Sequence, residues 1–145
     1  MPSWSDALSP QGRQDMQSLI DTAIAAGRKA LSNSGVITPI PFLMTINGDV
    51  LQLSADQIVA PGTPAQQQAD GIVDALRKAS AAGRAAALVT STRLAKENSD
   101  AVEVWAEHSE GAALTLIQPF HRSLLGGVVE FGALAAYPGQ QRVWG

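Results

Sequence analysis

The sequence predicts an α+β fold: a mainly antiparallel sheet of five or six strands with two helices on one face, in the order αββαβββ. Three observations lead there. Two segments repeat apolar residues at three- and four-residue intervals behind a cap-and-proline start. Two short loops, at Asn47-Gly48 and around Glu110-Gly111, join apolar runs and mark hairpins. Short hairpin loops make neighbouring strands antiparallel, which leaves the helices to cover the sheet.

The first helix is written in "SPQGRQDMQSLIDTAIAAGRKALSNSG". Ser9 can accept from a free amide of the first turn, and Pro10 suits the first helical position. Met16, Leu19, Ile20, Ala23, Ile24 and Leu31 share one face, and Gly35 is a natural stop. Gly12 and Gly27 should weaken the helix slightly. Residues 1–8 read as a loose tail.

"PFLMTINGDVLQLS" predicts a hairpin turning at Asn47-Gly48 through a two-residue loop. That register puts Phe42, Met44, Leu51 and Leu53 on a core face. "APGTPAQQQADGIVDALRKASAAGR" is the second helix, with Thr63 as cap, Pro64 behind it and Gly83 as its stop. "AAALVTSTRL" reads as a strand from 85 to 94.

In "EVWAEHSEGAAL" the apolar sets match only if Val104 faces Leu116 and Ala106 faces Leu114. His108 then lies opposite Ala112, and Ser109-Glu110-Gly111 is a three-residue loop ending in a left-handed glycine. Gly126-Gly127 reads as a linker into a last strand with Phe131, Ala133, Ala135 and Tyr137 on one face. The alanine-rich stretches "AAGRKA" and "AAGRAA" are too few for a repeat architecture. The 145 residues fit one domain, 1–145.

Composition narrows the function classes. The net charge of −3 and the absence of a basic run argue against nucleic-acid binding. The absence of cysteine removes disulfides, thiolate metal ligands and thiol nucleophiles. No run approaches the roughly 18 apolar residues of a membrane span, and the start lacks the features of a signal peptide. A cytoplasmic protein without membrane contact is the expectation.

No catalytic motif stands out. There is no G-x-S-x-G elbow and no phosphate-binding glycine loop, and Asn47-Gly48-Asp49 lacks the further acids of a calcium loop. His108 lies at a turn opposite Ala112, and His121 stands nine residues beyond Ala112, so the two should lie roughly 30 Å apart along extended chain, too far to share a metal. No catalytic residue, metal or cofactor is expected.

Two weaker candidate sites remain. Trp105, Ile117 and Thr115 share the face away from the expected helices; Trp105 there is either exposed as an interface or covered by the C-terminal segment with Val143 and Trp144. His121, Arg122 and Glu130 gather near the ends of the last strands as a candidate ligand site. Glu130 should point outward between Val129 and Phe131, or else be half-buried and paired with Arg122 or Arg142.

From Ala86 to Trp144, "AALVTSTRL", "DAVEVWAEHSEGAALTLIQPF" and "VEFGALAAYPGQQRVW" resemble a group of small bacterial proteins of unassigned function. That likeness implies a shared fold and no activity. The element order alone resembles the roadblock/dynein light-chain adaptors, which implies a non-enzymatic dimer. The sequence is thus read as a small interaction domain acting as a homodimer, with a possible protein partner. The alternative is a small-molecule binder or enzyme using His121, Arg122 and Glu130.

Overall fold

The computed structural model describes residues 4–60, 62–96, 98–122 and 128–145. Its elements are α1 (Pro10–Ser34), β1 (Ile40–Thr45), β2 (Val50–Gln52), α2 (Ala55–Ile58), α3 (Ala65–Lys78), β3 (Gly83–Leu94), β4 (Ser99–His108), β5 (Ala112–Arg122), β6 (Val129–Phe131) and β7 (Ala135–Pro138). The fold is α+β with a single antiparallel sheet, ordered β2-β1-β3-β4-β5-β6, and β7 also pairs with β5. Among the described residues, no helix is long and apolar enough to cross a membrane.

The helices do not share a face. Met16, Leu19, Ile20, Ala23 and Leu31 of α1 pack with Phe42, Met44, Ala87, Val89, Val104, Leu114 and Leu116. Ile72 and Leu76 of α3 pack with Leu43, Ala86, Leu88 and Trp105, whose side chains alternate to the other side. The expectation of two helices on one face is therefore corrected. The physical reason lies in "IPFLM" and "AAALV", which are apolar at successive positions, so both faces of β1 and β3 need cover.

The cap of α1 forms as expected. The Gly12 amide donates to Ser9 Oγ, and Gly35 closes the helix at φ 80°. Gly27 permits close approach to the sheet: a Cβ there would lie 3.1 Å from both Val89 and Val102. The loose tail is corrected for its described part. Trp4–Ala7 form a short 3-10 turn, and Leu8, only 4% exposed, joins the α1 core.

Several local readings shift. The first hairpin pairs Met44 with Val50 and Leu43 with Leu51, one position from the expected register. Its loop is Ile46-Asn47-Gly48, with Gly48 at φ 91° and its amide bonded to the Thr45 carbonyl. Leu51 therefore shares a face with Leu43, not with Phe42. Pro64 caps α3, while Thr63 donates to the Ala60 carbonyl instead. Gly83 opens β3 rather than closing α3; it is required because a Cβ would sit 2.6 Å from Leu43.

The β4–β5 hairpin matches the sequence reading: Val104 faces Leu116, Ala106 faces Leu114 and His108 faces Ala112. Gly111 takes φ 102° and donates to the His108 carbonyl. The last strand breaks register instead. Phe131 pairs with Phe120 on the α1 face, while Ala135 and Tyr137 pair with Ile117 and Thr115 on the α3 face. The extra residue falls across from Pro119, which has no amide to offer the neighbouring strand. The Gly126-Gly127 linker lies outside the described residues.

Candidate functional site

The end of β4 concentrates the buried ionisable groups. His108 is 3% exposed and lies on the α1 face. Its Nδ1 accepts the Glu110 amide at 3.1 Å, which assigns the ring proton to Nε2. Nε2 lies 3.0 Å from Asp15 Oδ2 on α1. Asp15 Oδ1 accepts from Arg84 at 2.7 Å and from Gln11 at 2.9 Å. Arg84 also donates to the Ile46 carbonyl, so one guanidinium joins α1, β3 and the first hairpin turn.

Burial works to raise the pKa of Asp15. Hydrogen bonds from His108, Gln11 and Arg84, with the Arg84 charge, outweigh it and hold the carboxyl below its ordinary value. Glu110 is also held low, first by the Ser9 hydroxyl and then by the Ser9 amide, which donate to its Oε1 at 2.9 and 3.1 Å. Gly12 makes room for this: a Cβ there would lie 2.1 Å from that oxygen.

Glu107, the neighbouring residue, points to the α3 face and is fully buried. Its carboxylate accepts three successive amides of the C-terminal segment: Arg142 at 2.5 Å, Val143 at 2.9 Å and Trp144 at 2.7 Å. Consecutive amides converging on one anion form a backbone nest, here filled by the protein's own side chain. The docked segment packs Val143 and Trp144 against the α3 core. Arg77 and Gln141 add hydrogen bonds to the Arg142 and Gly111 carbonyls.

That segment decides the fate of Trp105. The indole is 5% exposed, donates to the Gln140 carbonyl at 2.8 Å and lies under the Arg142 guanidinium. The expected open face is therefore closed at Trp105. Thr115 and Ile117, further out on β5, are partly buried beside Tyr137 and Ala135 of β7.

The second candidate set assembles only in part: His121 and Glu130 meet, and Arg122 does not join them. His121 Nε2 meets Glu130 Oε2 at 2.7 Å across β5 and β6, with both side chains exposed. Glu130 points outward as expected, but its partner is neither Arg122 nor Arg142. Arg122 lies on the α1 side and bonds the Gly35 carbonyl. His108 and His121 sit at opposite ends of the β4–β5 pair. Among the described residues, no three His, Asp or Glu converge in an arrangement that could hold a metal ion.

Sequence reasoning missed Asp15 and Glu107. Asp15 carried a signal: it sits among Gly12, Met16 and Leu19 on the apolar stripe, where a carboxylate needs partners. Glu107 shares a strand face with Trp105, so the C-terminal cover expected as one alternative for Trp105 implied burial of Glu107 as well. Both ring nitrogens of His108 are engaged and the ring is buried, so the cluster positions chain segments and presents no free base. No family model, no curated protein and no solved structure matches the chain. The two resemblances drawn from the sequence therefore carry no site residue.

Proposed function

We propose that this protein acts by association, as a non-enzymatic interaction domain that pairs with a second copy of itself through the outer side of β5, β6 and β7. One observation carries the reading. From Phe131 to Gln141 the outer strand holds no charge, and it exposes Leu134 and Tyr137 at 44% and 50%. Tyr137 also lines a trough of about 390 Å³, with Ala7, Ala112, Leu114, Ala136 and Pro138.

The backbone supports the same surface. Gly139 donates to the Ala113 carbonyl, so pairing alternates to leave the Ala136 amide directed away from β5. A charged edge repels its own copy across a two-fold axis, whereas a neutral apolar edge is self-complementary. Tyr at a partly apolar surface also fits the composition of interface centres. The buried ionisable groups meanwhile hold the fold together, which argues against their use in catalysis.

Sedimentation velocity at about 100 μM, a concentration suited to weak pairs, tests this. The wild type should run as a dimer, and Tyr137→Asp and Leu134→Asp should run as monomers with unchanged circular dichroism. A monomeric wild type, or dimers that survive both changes, would overturn the proposal.

A further inference from the structure

The α3 face holds a second feature, a polar recess of about 320 Å³ between the start of α3, β3, β4 and the C-terminal segment. Its polar lining includes Gln66 and Gln68 of α3, the cross-strand pair Thr90 and Glu103, and Arg142. Pro39 and Ala69 supply apolar wall.

The charges are what distinguish it. Glu103 lies two positions from Trp105 on the same strand face, and the Arg142 guanidinium stands 5.9 Å from the centre of the Trp105 ring. One acid and one base thus flank a single indole and line one recess. Among the described residues neither side chain makes an ion pair, with the other or with any third group. Their backbones are fixed where they stand. Glu103 is held within the sheet between Thr90 and Ile117, and the Arg142 amide and carbonyl are bonded to Glu107 and Arg77.

We infer that this recess binds a small zwitterion of the α-amino-acid class. The ligand's ammonium group meets Glu103 and the Thr90 hydroxyl. Its carboxylate meets Arg142 and the amide groups of Gln66 and Gln68. Its carbon chain lies against Pro39 and Ala69. A simple anion would be repelled by Glu103 and a simple cation by Arg142, so the paired opposite charges select a ligand that carries both. The volume suits a ligand of this size.

Saturation-transfer NMR of the full chain against each common free α-amino acid, followed by calorimetric titration of the strongest binder, tests the inference. At least one amino acid should bind with Kd below about 1 mM. Its N-acetyl derivative and its decarboxylated amine, each lacking one charge, should bind at least about tenfold more weakly. Glu103→Gln and Arg142→Gln should each weaken the parent amino acid by a similar factor, with Thr90→Val as a milder third variant should either fail to fold. Absence of binding by every amino acid would overturn the inference. So would derivatives that bind as well as the parent, or folded variants with unchanged affinity.

Discussion

Glu107 and His108 are neighbours on β4, both ionisable and both buried, and strand alternation sends them to opposite faces. His108 faces α1 and meets Asp15, itself a charged partner that needed Arg84 and Gln11 to be satisfied. Glu107 faces α3 and meets only main-chain amides. The first tie joins side chains from elements already packed by a large aliphatic core. The second fixes a segment with no regular secondary structure of its own. Burying a charge is costly in either place, and each face removes the cost differently: one by a pair with shared hydrogen bonds, the other by a nest of backbone donors.

The comparison predicts unequal losses. Glu107→Ala should cost the most, about 3–4 kcal/mol, because it releases the amides of 142–144 and with them the packing of Val143 and Trp144. Chemical denaturation should show it, with the Trp fluorescence of the native state shifted to the red as Trp105 is uncovered. Asp15→Asn should cost about 2–3 kcal/mol, since it leaves Arg84 and His108 without their anion while the α1 core still holds the helix. If Asp15→Asn proves the more damaging of the two, the ranking of the ties is wrong.

Acid sharpens the contrast. Asp15 and Glu110 are held below their ordinary values in the folded state. The stability they contribute is therefore complete above about pH 4 to 5 and is lost as pH falls through their lowered values. Denaturation midpoints measured between about pH 5 and pH 3 should fall less steeply for Asp15→Asn than for the wild type. Smallest of all, His121→Gln or Glu130→Gln should change stability by no more than about 0.5 kcal/mol, because that pair is exposed on both sides. A larger loss would show that the outer strands depend on it.

The two hairpins show why some of this was legible in sequence and some was not. Both use a three-residue loop with a left-handed glycine, Gly48 in one and Gly111 in the other. Around Gly111 the apolar residues Val104, Ala106, Leu114 and Leu116 belong to one face, and only one register matches them. Around Gly48 both faces are apolar, so Phe42 and Met44 compete with Leu43 and Leu51 and alternation cannot choose. The Asn-Gly pair then suggested the shorter loop. The same two-sided apolarity explains why α3 was placed with α1.

The candidate sites were less legible because long-range cover decided them. Trp105 was expected to be open or covered by Val143 and Trp144, and the C-terminal segment covers it. Nothing near Arg122 in sequence marks the Gly35 carbonyl as its partner. Gly12 and Gly27 looked like helix weaknesses; one admits Glu110 to the Ser9 cap and the other admits the helix to the sheet.

Amide hydrogen exchange at Arg142, Val143 and Trp144 most directly tests the claim that buried charges here serve to hold chain segments. The account predicts strong protection of these three amides in the wild type and its loss in Glu107→Ala, with α1 amides still protected. Rapid exchange at all three in the wild type would contradict it.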